Sequence, residues 1–184
     1  NHDGSFSRKD IVAINAILFL NKTNIKTATP LLVKQMEDFA DRFWSAVNQI
    51  PGFGQPNAKK TTIAAQPVVL KAIAKLSNNF NAGRNQDIDS LKVLFESLRT
   101  GKLDLSHANK IWRYYQIEPD NRSAEFPGLA EYLPSEEEGN RDIGQFNASD
   151  GVMRFGSKHN DIFPIIGDMI RWLLNLPNRH IIKP

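Results

Sequence analysis

Residues 29–52 read TPLLVKQMEDFADRFWSAVNQIPG, and the fold class is decided in this stretch. Thr29-Pro30 supplies an N-cap and a proline at the first helical position, where the missing amide proton costs nothing. Leu32, Met36, Phe39, Phe43, Val47 and Ile50 follow at steps of 4, 3, 4, 4 and 3. That is the spacing of one helix face, and Ala40 and Trp44 widen it. Glu37, Asp38, Asp41 and Arg42 occupy the other side, and Pro51-Gly52 ends the run. A single amphipathic helix is predicted here.

Helical signals continue in both directions. Ser7-Arg8-Lys9-Asp10 forms a capping box ahead of Ile11, Val12, Ile14, Ile17, Leu18 and Phe19. Phe53–Lys60 reads as a loop. A third helix begins near Gln66-Pro67 and runs to Phe80, and a fourth spans Asp87–Leu98 and stops at Gly101. Ser106 is placed as the cap of a fifth, which carries Ile111-Trp112-Arg113-Tyr114-Tyr115. Asn160-Asp161 caps a last helix, with Pro164 in its first turn and Pro177 beyond its end. Between the fifth and the last, Gly128–Leu133 makes one helical turn. Ile143–Phe146 and Val152–Phe155 flank Asn147-Ala148-Ser149-Asp150-Gly151 as a small hairpin. The expected architecture is mainly α: an orthogonal bundle of about six helices in one domain over 1–184, with one β-hairpin near the C-terminus and an irregular acidic insert at 119–150.

A length of 184 residues with 41% hydrophobic and 23% charged content fits that picture. No cysteine is present, which excludes disulfide scaffolds, thiolate zinc sites, iron–sulfur clusters and cysteine nucleophiles. No apolar run approaches the roughly 20 residues of a membrane span, and no signal peptide is visible, so a cytoplasmic protein is expected. The chain begins at Asn1, as a piece cut from a longer protein would. Residues 119–150 hold 2 basic and 8 acidic side chains, a net −6, while the remainder carries +9. A basic body of this kind attracts phosphates, although lysine-rich solvated helix faces give the same count.

Candidate binding residues follow from that charge. Arg141, Arg154, Lys158 and His159 cluster around the hairpin, where closure would bring Arg141 and Arg154 together beside the N-terminus of the last helix. The alternative is structural: Asp142 pairs with an arginine, and Asn160 or Asp161 merely caps. Lys59 and Lys60 lie in a loop. Arg113 sits among aromatics that either stack on bases or form core. His159, Asp161 and His107 invite a metal-dependent nuclease reading, but their spacing matches no metal motif. No catalytic residue, metal ligand or cofactor is therefore assigned.

Five segments carry a family resemblance. They are Ser7-Arg8-Lys9-Asp10-Ile11, Ala65-Gln66-Pro67-Val68-Val69-Leu70-Lys71-Ala72, Trp112-Arg113-Tyr114-Tyr115, Gly139-Asn140-Arg141-Asp142-Ile143-Gly144 and Met153–Ile162. Together they resemble the C-terminal region of bacterial DGQHR-domain proteins, relatives of the regulator in DNA sulfur-modification gene clusters. The naming motif belongs to an N-terminal ParB-like domain and is absent here, where Asp3-Gly4-Ser5 shares two letters. The resemblance implies a non-catalytic helical part of a DNA-modification or defence protein. Its expected partners are duplex DNA, its own N-terminal domain, or a second copy in a homo-oligomer. A scaffold or dimerisation role without nucleic acid, using the exposed side of Ser7–Phe19, is the alternative.

Overall fold

The computed structural model describes residues 6–22, 29–82, 86–135 and 141–181. The first helix, α1 (Arg8–Leu20), starts at the expected box: the Ser7 hydroxyl accepts from the Asp10 amide, and the Asp10 carboxylate accepts from the Ser7 amide, each at 3.1 Å. The 29–52 stretch is helical but bent. It forms α2 (Pro30–Gln35) and α3 (Glu37–Asn48), separated by Met36 at φ −94°, ψ 0°. The reason is burial. Phe39, Phe43, Ala46 and Val47 of α3 enter the core, whereas α2 buries nothing. Tertiary packing supplies most helical stability, so the first six residues have no cause to stay in line with the rest.

The expected loop 53–60 runs into a short turn of helix, α4 (Ala58–Thr61), held by the buried Ala58. After a 3-10 turn at Ile63–Ala65, Pro67 opens α5 (Pro67–Ala82), the central helix, with ten of its sixteen residues buried. It packs against α1 and against α6 (Ile88–Thr100), which Asp87 caps and a left-handed Gly101 ends.

Ser106 does not cap a helix. It bridges to Thr62, and the chain continues from Asn109 as 3-10 turns over Lys110–Gln116. With three residues per turn, Ile111 and Tyr114 share a face. Tyr114 is therefore covered with Ile111 and Trp112, while Tyr115 is half-buried. The acidic stretch is more ordered than its composition suggests: it holds α7 (Pro119–Glu125) and α8 (Leu129–Tyr132), and Leu129, Leu133 and Ile143 join the main core. Glu136–Glu138 lie outside the described residues.

The expected hairpin is present. Strands β1 (Gly144–Asn147) and β2 (Val152–Phe155) pair antiparallel, Gly144 opposite Phe155 and Asn147 opposite Val152. The last helix, α9 (His159–Leu173), begins earlier than predicted: Lys158 is its N-cap and makes no side-chain capping bond. Asn160 and Asp161 thus sit inside the first turn, and Pro164 lies past it, where its ring nitrogen leaves the Asn160 carbonyl without the usual intrahelical donor. Asn160 is exposed, so water can serve that carbonyl. One cluster of buried apolar side chains, from Ile14 to Leu176, joins these helices to the hairpin. The protein is mainly helical, with a single small hairpin among the described residues.

Gly144 is a demanding position. Its φ is +142°, and a Cβ there would fall 2.1 Å from the Arg154 carbonyl oxygen and 2.7 Å from the Phe155 Cα. Both neighbours are backbone and cannot swing aside. Gly144→Ala is expected to lower stability by roughly 1–3 kcal/mol or more, read as a reduced denaturation midpoint; an unchanged midpoint would contradict this close approach.

Candidate nucleic-acid interface

Side chains from distant helices hold the hairpin in place. Gln66, between the 3-10 turn and α5, donates through Nε2 to the Met153 carbonyl at 2.8 Å and accepts the Phe155 amide at Oε1 at 2.9 Å. It binds the outer edge of β2 as another strand would. His107 completes that edge: its Nδ1 accepts from the Met153 amide at 3.0 Å, and its Nε2 donates to the Lys59 carbonyl at 2.9 Å. Only a neutral ring protonated at Nε2 can make both bonds. Burial also holds the imidazole pKa below its ordinary value. On the other edge Gln116 Oε1 accepts the Phe146 amide at 3.0 Å. Both strands of the hairpin thus carry side-chain partners on their outer edges, which blunts pairing with another chain.

This docking places Lys59 and Lys60 beside β2. A cleft of about 440 Å³ opens there, lined by Asn57, Lys59, Lys60, Gln66 and Arg154. A second, of about 560 Å³, runs along the hairpin past Gln145, Arg154 and Lys158. A third, of about 800 Å³, is lined by Arg141, Lys158, Asp161, Arg179 and His180. Arg154 belongs to the first and second clefts, and Lys158 to the second and third, so the three form one track around the hairpin.

Five of the predicted residues lie on this track, in a different arrangement from the one expected. Arg141 and Arg154 line no cleft in common; Lys158 stands between them. Arg154 is paired with Asp150 at 2.6 Å, an exposed contact that holds the Asp150 carboxyl below the usual carboxylate range. Asp142, considered as a partner for an arginine, accepts the Gly144 amide at 3.0 Å. Arg141 donates to the Ser135 carbonyl at 3.1 Å. Lys59, Lys60 and Lys158 are exposed and enter no ion pair with a described residue.

The other two predicted residues line none of these clefts. His159 Nδ1 sits 3.0 Å from Lys71 Nζ on α5, and burial, then the lysine charge, lower its pKa. Arg113 lies 3.8 Å above the Phe146 ring and ties the 3-10 segment to β1. Among the described residues, no three His, Asp or Glu side chains converge to hold a metal ion. Sequence reasoning missed Asn57, Gln66, Gln145 and Arg179 on the track. Gln66 alone left a signal, as one polar residue between Ile63-Ala64-Ala65 and Pro67-Val68-Val69.

No family model, curated protein or solved structure matches the chain. The functional reading therefore rests on the geometry of the track and on the resemblance carried by the five segments.

Proposed function

We propose that this chain is a non-catalytic helical binding module that holds the phosphate backbone of duplex DNA along the track around its hairpin. The observation that carries this reading is the placement of Lys59, Lys60 and Lys158 on contiguous clefts, exposed and without an ion-pair partner among the described residues. An unpaired lysine beside an open cleft keeps its full charge for an incoming anion. No tryptophan or tyrosine lines the first two clefts, and Trp112 and Tyr114 are in the core, where no base can stack on them. Binding through backbone charge, without base readout, is the mode this surface favours. The resemblance to DGQHR-domain proteins supports the same assignment, to a bacterial DNA-modification or defence system.

The test is a salt series of duplex binding by fluorescence anisotropy. The variant Lys59→Gln/Lys60→Gln/Lys158→Gln should bind more weakly, with the log–log salt slope reduced by up to roughly three, about one for each phosphate no longer held. No binding by the unmodified protein at low salt would sink the proposal. A scaffold role has its own observation, since Ile11 and Val12 on α1 are 41% and 39% exposed. A chain that ignores DNA yet sediments as a dimer would favour that reading instead.

A further inference from the structure

We propose that the cavity between α5, α9 and the turn after α9 binds a phosphate-sized oxyanion. Arg171 on α9 is only 4% exposed. Its guanidinium lies 4.7 Å from the Phe80 ring centroid and spends one N–H, from Nη1, on the Pro177 carbonyl at 2.9 Å. It has no other hydrogen bond and no carboxylate within ion-pair distance among the described residues. A buried cation normally has a paired and hydrogen-bonded counter-charge. Here the described residues supply no direct ion pair: Asp168 and Asp87 attract the guanidinium only across a gap.

The neighbours deepen that imbalance. Arg171 lines a cavity of about 60 Å³ together with Lys75, Asn79, Asp168 and Arg179. The one carboxylate, Asp168, is already claimed: Arg179 grips it through Nε and through Nη2 at 2.9 Å, and His180 Nε2 lies 3.4 Å away. Lys75 is half-buried, gives one bond to the Asn21 side chain at 2.8 Å and has no carboxylate partner among the described residues. Burial, then the charge of Arg179, lower its pKa. Asn79 has no hydrogen bond from its side-chain amide to any described residue. Three cations, and an amide with no partner among the described residues, therefore line the cavity with one occupied carboxylate. The space is far larger than the roughly 10–15 Å³ one water needs, and far smaller than a nucleotide. Guanidinium and ammonium side chains lining such a volume fit a tetrahedral oxyanion, either free phosphate or the terminal phosphate of a larger molecule.

Isothermal titration with inorganic phosphate, and separately with methyl phosphate, tests this in chloride buffer of matched ionic strength. Saturable one-to-one binding of phosphate is expected, about tenfold or more weaker in Lys75→Met and in Arg171→Gln. Competition by methyl phosphate would mean the site takes the end of a larger molecule; its exclusion would mean a site for the free ion. If Arg171→Gln fails to fold, Lys75→Met decides alone, since that side chain is half exposed. No saturable binding up to about 10 mM, or equal affinity in Lys75→Met, would overturn the proposal. The Lys59/Lys60/Lys158 variant should bind phosphate as the unmodified protein does, so this site and the DNA track fail separately.

Discussion

Trp112→Ala should cost about 3–5 kcal/mol of folding stability, measured by urea denaturation. The indole is wholly buried in the 3-10 segment, and its removal leaves a void that a chain packed on all sides cannot fill. A domain of ordinary stability holds only about 5–15 kcal/mol, so much of the reserve would go. The indole Nε1 is buried without a hydrogen-bond partner among the described residues, which separates two effects. Trp112→Phe loses some volume but relieves an unsatisfied donor, and should cost clearly less than the alanine variant. If Trp112 instead stacked on nucleic acid, alanine would weaken binding and leave the denaturation midpoint where it was. The burial of the ring predicts the opposite pattern.

The second large effect belongs to His107. His107→Leu keeps approximate bulk but strands the buried Met153 amide and the partly buried Lys59 carbonyl. A buried amide left without a partner costs about 1–3 kcal/mol and a partly hydrated carbonyl less, so a loss of roughly 2–4 kcal/mol is expected. The pH dependence has a definite sign. The folded pKa of His107 lies below its ordinary value of 6.5, so the unfolded chain binds the proton first as pH falls. Stability from the neutral ring is complete above about pH 6.5 and is lost as pH drops toward the folded pKa. His159 is shifted the same way and adds to the decline. The unmodified protein should therefore weaken as pH falls below about 6.5, and the leucine variant should show a shallower slope. An equal slope in both would show that His107 is not the titrating group.

The helices were legible because their signals are local. Ser7 with Asp10, and Thr29 ahead of Pro30, act within four residues, and each start lies where its spacing implies. The bend at Met36 was not, because periodicity cannot show that Leu31 and Val33 face solvent, with 65% and 41% of their surfaces exposed. The 3-10 path through Trp112 escaped for a related reason: an α period and a three-residue period diverge by only about one position over this run. Along the candidate track, sequence charge could single out the lysines as a basic group. It could not find what holds the hairpin against them, since Gln66 and His107 act across 87, 89 and 46 residues. Arg171 had the look of an ordinary polar position near a helix end, and only the fold shows it buried beside Phe80.

The sequence distances spanned by Gln66 and His107 have a kinetic consequence. Turn closure within the hairpin is local and fast, on the order of microseconds. Docking is not local: Gln66 cannot meet Met153 and Phe155 until α5 and the chain beyond it have been brought together. Loop-closure entropy has to be met before such contacts return anything, so they belong to the late side of the folding barrier. Substitutions there should leave the refolding rate nearly unchanged and speed unfolding. The lysine-lined track around the hairpin exists only once docking is complete. Its shape therefore depends on contacts that form late, and a substitution at Gln66 or His107 should loosen it before the helices are lost.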